Sequence, residues 1–156
     1  VNNYQKLTKI PPPSKTTFPI KELLEDISNL LKADDLFFSY TIVKEDWTIN
    51  ADRAQIEQVM INLIKNAHES SSPDIPVKVQ VIVSKDHYRR TLIQIIDNGQ
   101  GILPDVLDKI FVPFFTTKST GSGIGLSICR QIINLHGGNI TITSKPEQGS
   151  TVSITL

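Results

Sequence analysis

The chain has 156 residues, 39% of them hydrophobic and 21% charged, which suits one globular domain and excludes a disordered or fibrous chain. Sixteen basic residues balance sixteen acidic ones, so the basic footprint of a nucleic-acid binder is absent. The single cysteine, Cys129, excludes an internal disulfide or a multi-cysteine metal site and reads as a buried apolar thiol. No apolar run nears the roughly 18 residues of a membrane span, and no signal peptide is visible. The start on Val1 reads as the cut edge of a longer protein.

Residues 1 to 19 carry Lys6, Lys9 and Lys15, no acidic residue, and the stiff Pro11-Pro12-Pro13 breaker; they read as a linker with a solvated tail. Ile20, Leu23, Leu24, Ile27, Leu30 and Leu31 then recur at helical spacing over Ile20 to Lys32. Phe37 to Val43 and Thr48 to Asn50 read as short strands, and Asp52 is placed to cap the next helix. That helix runs from about Asp52 to Ser70, with Ile56, Val59, Met60, Leu63 and Ala67 as its apolar stripe. Asn62 and Asn66, four apart, share a face at the margin of that stripe. A pair of surface amides at the edge of an amphipathic helix gives the same pattern.

Val77, Val79, Val81 and Val83 alternate as a strand does, Lys85 to Arg90 form a polar turn, and Thr91 to Ile96 return as the antiparallel partner. This strand ends in Asp97-Asn98-Gly99-Gln100-Gly101-Ile102, a carboxylate followed by two glycines that open the backbone to another molecule. Pro104 to Ile110 is a short predicted helix. Phe111-Val112-Pro113-Phe114-Phe115 is apolar but lies in a connection, and Thr116 to Gly123 is small and polar, with Lys118 its only charge. Gly121-Ser122-Gly123-Ile124-Gly125 opens a helix expected over Gly123 to His136 that Gly137-Gly138 ends. Asn139 to Ser144 and Ser150 to Leu156 close the chain as a hairpin. Helices and strands do not strictly alternate, so a mixed sheet with helices on one face is expected in place of a doubly wound parallel sheet.

The chemistry these features suit is a purine nucleotide with its phosphates and a metal. A glycine-rich turn at a helix start supplies backbone N–H donors and positive potential for phosphate. A flexible turn or close helix packing also explains such a cluster. No Lys-Ser/Thr follows the last glycine, so the phosphate-loop pattern fails, and the dinucleotide fingerprint fails with it. Asparagine carbonyls with phosphate oxygens and water satisfy magnesium.

Four segments together carry a specific resemblance. Asn62-Leu63-Ile64-Lys65-Asn66-Ala67, Asp97 to Ile102, Phe111 to Lys118, and Gly121-Ser122-Gly123-Ile124-Gly125-Leu126 resemble, in order, the N, G1, F and G2 boxes of bacterial sensor histidine kinases. The resemblance covers residues 18 to 156. It implies an α/β (α+β) two-layer sandwich: a mixed, mostly antiparallel sheet with about three helices on one face, the Bergerat or histidine-kinase ATPase fold. Residues 1 to 17 are then the linker and tail of a preceding dimerisation domain, and 18 to 156 the catalytic ATP-binding domain.

Carried over by position, the resemblance implies that Asp97 binds the adenine amino group, with Gly99, Gly101 and Ile102 close to the ring and Thr151 supporting the base through water. Asn66 binds magnesium, and Asn62 helps hold it or the phosphates. Gly121, Gly123, Gly125 and Leu126 form the phosphate edge. Thr117, Lys118 and Ser122 belong to a mobile lid, and Asn62 and Lys118 are the catalytic candidates. Phe111, Phe114 and Phe115 anchor the lid or face the partner domain.

The related ATPases place a glutamate four residues before the metal asparagine. Asn62 stands there and is a poor base, so transfer to a protein acceptor is favoured over hydrolysis. An ATPase-type nucleotide switch of the same superfamily is the alternative. His68, His87 and His136 all lack the acceptor context. The cofactors implied are ATP and magnesium. The partners are a histidine-bearing dimerisation domain of the parent and a downstream response regulator, with no nucleic acid. The fragment is expected to be monomeric, inactive on its own and cytoplasmic, with a parent anchored in the inner membrane.

Overall fold

The computed structural model describes residues 9–44, 47–71, 74, 76–115 and 125–156. Its elements, in chain order, are β1 (Thr16–Pro19), α1 (Ile20–Lys32), β2 (Ser39–Ile42), β3 (Thr48–Ala51), α2 (Arg53–Glu69), β4 (Val79–Lys85), β5 (Thr91–Asp97), α3 (Pro104–Leu107), α4 (Gly125–Leu135), β6 (Asn139–Lys145) and β7 (Gly149–Thr155). Five strands form one sheet in the order β2-β4-β5-β7-β6, in which only the β2–β4 pair is parallel. The antiparallel β1–β3 ribbon stands apart.

The register fixes which side chains meet the helices. Val81 faces Ile95, Ile95 faces Val152 and Val152 faces Ile142, while Val83, Ile93, Ile154 and Ile140 form the next row. These alternate residues share one face of the sheet. All but Ile142 join or pack against the core with Ile56, Val59, Met60, Leu63 and Ile64 of α2 and Ile132 and Ile133 of α4. The other face carries Gln80, Gln94, Thr141 and Ser153. The expected two-layer, mixed and mostly antiparallel architecture is what folds.

α1 has no side-chain cap at Pro19. Five of its apolar side chains (Ile20, Leu23, Leu24, Ile27 and Leu31) are buried, and each contributes roughly 1.5–3 kcal/mol. That outweighs a missing cap worth about 1 kcal/mol. Leu30, expected on the buried stripe, is 53% exposed, because it sits just outside the arc set by Leu23, Leu24, Ile27 and Leu31.

The end of the segment read as linker has structure. Thr16–Pro19 pairs with Thr48–Ala51, Pro11 O accepts from Gln55 Nε2 at 2.9 Å, and Ser14 N–H donates to Asp52 Oδ2 at 2.9 Å. β1 and β3 run directly into α1 and α2 and so fix where both helices begin. Cys129 is buried, and burial pushes its thiol up to about 12. Lys6 and the Gly123-Ile124 start expected for α4 lie outside the described residues.

Asp52 caps α2 as expected: its Oδ1 accepts from Gln55 N–H at 3.1 Å. The Ser14 N–H first, and the Gln55 N–H second, hold its carboxyl below the usual carboxylate range. A lowered folded-state value stabilises above the unfolded-state pKa and is lost as pH falls through the folded one. Asp52→Ala is therefore expected to cost about 1 kcal/mol in urea unfolding at pH 7, with the deficit shrinking below about pH 4.

Candidate functional site

The site is built along one side of α2. Asn62, Asn66 and Ser70 follow at four-residue intervals, about 6 Å apart along the axis. Asn62 and Asn66 line a groove of about 550 Å³ with Ala54, Glu57, Gln58, Ile61, Lys65 and Glu69. Glu57 is paired with Arg53 at 3.3 Å. Among the described residues no three His, Cys, Asp or Glu side chains gather to hold a metal, so a divalent cation here would rest on amide oxygens and on the ligand's own oxygens.

At the C-terminal end of α2 the Ser70 hydroxyl lies 3.2 Å from Asp97 Oδ1 and 2.6 Å from Ala67 O. Its one proton goes to one of them at a time, and the shorter approach is to Ala67 O. Asp97 is 8% exposed, and its Oδ1 also accepts from Gly99 N–H at 2.9 Å. Among the described residues Oδ2 takes no bond. Oδ2 is thus open to an arriving N–H group.

The loop after Asp97 is held on three sides. Gln100 N–H donates to Ser70 O at 2.9 Å and Gln100 Nε2 to Ser71 O at 2.9 Å. Asn98 Oδ1 accepts from Lys78 N–H at 2.7 Å. Ile102 N–H donates to Ser144 Oγ at 2.8 Å, and Glu147 N–H donates to Gln100 O. Gly101 has φ +73°, and a Cβ there would lie 2.1 Å from Lys145 O. Gly149 has φ +98°, and a Cβ there would lie 2.0 Å from Asp97 O. Both glycines thus let two backbones touch around Asp97.

Thr151, the expected support for a base, pairs with Ile96. Its side chain therefore stands on the face of the sheet away from Asp97. Ser150 is the residue opposite Asp97, and its Oγ lies 2.7 Å from Ser144 Oγ. Ser70, Ser144, Gly149 and Ser150 thus join the candidate site around Asp97, and the sequence does not single them out. The alternation of β7, counted from its pairing with β5, is the signal that finds Ser150.

At the other end, the start of α4 lies on Asn62. A Cβ at Gly125 would lie 2.7 Å from Asn62 Nδ2 and 2.8 Å from Asn62 Oδ1. Leu126 is half-buried against the core. Thr117, Lys118, Gly121, Ser122 and Gly123 lie outside the described residues. Phe111 is half-buried with Arg130 over its ring at 5.3 Å, while Phe114 is 50% exposed with φ +69°. His68 Nε2 meets Phe37 O at 2.8 Å, and both ring nitrogens of His136 are engaged. No described helix is long and apolar enough to cross a membrane.

Comparison with known proteins finds a family and a fold. The family described as "Histidine kinase-, DNA gyrase B-, and HSP90-like ATPase" matches residues 51–156. Sporulation kinase A of Bacillus subtilis is 38% identical over 141 residues, covering 88% of this chain and 23% of that protein. Signal transduction histidine-protein kinase AtoS of Escherichia coli is 41% identical over 108 residues, covering 69% of this chain and 17% of that protein. The chain therefore spans under a quarter of the length of these relatives. Among solved structures, the nucleotide-free catalytic domain of histidine kinase ThkA superposes with a TM-score of 0.79 at 33% identity, over 92% of this chain and 95% of that one.

The glycine contacts generate an ordering. Gly137 also has positive φ (+75°), but nothing lies within 4 Å of a Cβ there. Gly137→Ala should cost about 1 kcal/mol of left-handed strain, whereas Gly101→Ala must also move the Lys145 backbone and should cost at least about 2 kcal/mol. Urea unfolding of the two variants checks the order.

Proposed function

Because the chain belongs to the family of histidine kinase-, DNA gyrase B- and HSP90-like ATPases, we propose that it holds Mg-ATP in a sensor histidine kinase and presents the γ-phosphoryl group to a histidine on a separate domain. The observation that carries the reading is the polarity of the site along α2. A largely buried Asp97 with one carboxylate oxygen left for a donor stands at one end, and the Asn62 amide against the start of α4 stands at the other.

The adenine amino group would donate to Asp97 Oδ2, with Gly99, Gly101 and Ile102 beside the ring and Ser150 replacing Thr151 as the hydroxyl near the base. The phosphates would run toward Asn66 and Asn62. There, the start of α4 at Gly125 would supply donors and positive potential, with Gly121 and Gly123 as the phosphate edge that the family resemblance implies. Thr117, Lys118, Ser122 and Leu126 would close over them. Asn66 and Asn62 fit magnesium, which when bound supplies charge neutralisation at the β- and γ-phosphate oxygens.

In the transfer, an imidazole nitrogen of the acceptor attacks the γ-phosphorus. The N–P bond forms, the P–O bond to the β-phosphate breaks, and ADP leaves with that electron pair. The chain's part is positioning and charge stabilisation. The imidazole's other nitrogen gives its proton to solvent or to a carboxylate of the acceptor domain, so this chain need supply no base, in keeping with Asn62 on the groove.

The whole parent's activity belongs to this proposal, and so do the dimerisation domain, a response regulator as the next acceptor, the monomeric state and the cytoplasmic side. The solved complex of histidine kinase ThkA with response regulator protein TrrA, 30% identical over 99% of this chain with a TM-score of 0.80, supports the regulator as a partner. Residues 1–17 would lead out of the dimerisation domain, with their last part built into the β1–β3 ribbon.

Calorimetric titration tests the assignment. The chain should bind ATP with magnesium in the micromolar to sub-millimolar range. GTP, whose base offers a carbonyl where adenine offers the amino group, should bind at least about tenfold more weakly. Asp97→Asn should lose at least about tenfold in ATP affinity. Equal ATP affinity in the variant would reject Asp97 as the base-reading group.

A further inference from the structure

Three contacts align α4 with α2 in antiparallel register. Gly125 lies on the Asn62 amide, Cys129 Sγ reaches Val59 O at 3.9 Å, and Asp52 N–H donates to His136 Nε2 at 3.0 Å. The first step is about one turn on each helix, and the second is seven residues, about two turns, on each. The middle contact is weak, because a thiol is a poor donor. The Asp52–His136 bond is thus the strongest directional contact of the three.

The Asp52–His136 bond takes an unusual place. The sequence Asp52-Arg53-Ala54-Gln55 has capping-box form, in which the Gln55 side chain would return to Asp52 N–H. Here Asp52 Oδ1 caps Gln55 N–H, but the Gln55 side chain turns to Pro11 O. Asp52 N–H goes to His136 instead. The ring is fixed from its other side, where Nδ1–H donates to Ile132 O at 2.8 Å in its own helix. His136 is thus the neutral tautomer with its proton on Nδ1 and its Nε2 lone pair on α2. Asp52 Oδ2 also receives Ser14 N–H, so the entering chain, the start of α2 and the end of α4 meet at one residue.

We propose that His136 is a positioning residue for the nucleotide: it fixes the axial register of α4 on α2 and so holds Gly125 over Asn62. It touches no nucleotide and acts through the length of α4. The inference rests on the nucleotide reading above.

The test compares adenosine and Mg-ATP binding by calorimetry for wild type, His136→Leu, His136→Gln and His136→Asn, with the urea midpoint of each. His136→Leu removes the acceptor. It should weaken Mg-ATP about tenfold, about 1.4 kcal/mol, and adenosine by less than about twofold, because the base end at Asp97 is remote from His136. His136→Gln keeps an acceptor at nearly the reach of Nε2 and should bind Mg-ATP within about threefold of wild type. His136→Asn, one methylene short, should behave like His136→Leu, and carries the comparison with Gln if the Leu variant does not fold. Loss of adenosine and Mg-ATP in parallel, or no difference between Gln and Asn, would overturn the proposal. A wild-type chain that binds neither ligand would reject the nucleotide reading itself. In that case a Gly125 amide resonance that shifts in His136→Asn but not in His136→Gln would still support the register, and an unmoved one would reject it.

Discussion

The site depends on one straight length of α2. Asp52 caps its start and Ser70 ends it. Between them the apolar side chains Ile56, Val59, Met60, Leu63, Ile64 and Ala67 bury one face in the core. That burial fixes the rotation of the helix about its own axis, because turning Asn62 or Asn66 inward would bury amides and expose leucine and valine. With rotation set, Asn62, Asn66 and Ser70 share a row, and the helical rise sets their spacing. The rest of the site is docked onto that row: Asp97 at Ser70, Gly125 at Asn62.

Docking at each end requires close backbone approach, and this decides where glycine stands. The β5 end, the β6–β7 turn and the end of α2 converge around Asp97, leaving no space for Cβ atoms at Gly99, Gly101 or Gly149. Asp97, Gly149 and Ser150 belong to adjacent strands, so the sheet register links the carboxylate to the closing hairpin. The two ends differ in chemistry. One is a carboxylate suited to a donor, and the other is the Asn62 amide at a helix start suited to anions. An elongated ligand with a base at one end and phosphates at the other fits that difference.

Much of the fold was legible because burial wrote it into periodicity. α1 runs over the residues that its apolar spacing marks, the β4–β5 hairpin follows its alternating valines, and Asp52 caps as expected. The misses have local causes. β1 has four residues behind a triple proline, too short to show a period. Thr151 and Ser150 differ by one position, and one position in a strand exchanges faces, so a motif without its register does not tell which hydroxyl shares the face of Asp97. Ser70 was unreadable, because nothing in a helix end tells which distant strand will arrive there. The role of His136 was hidden in the same way, since its partner Asp52 is 84 residues away.

The most direct test of the account follows backbone amide resonances of the chain while adenosine, then Mg-ATP, is added. Adenosine should move Ser70, Asp97, Gly99, Gly101 and Ser150 and leave Asn62 and Gly125 in place. Mg-ATP should extend the shifts to Asn66, Asn62 and Gly125. Shifts of Asn62 and Gly125 with adenosine alone, or none at Asp97 and Ser150 with either ligand, would contradict a nucleotide laid along α2 with its base at Asp97.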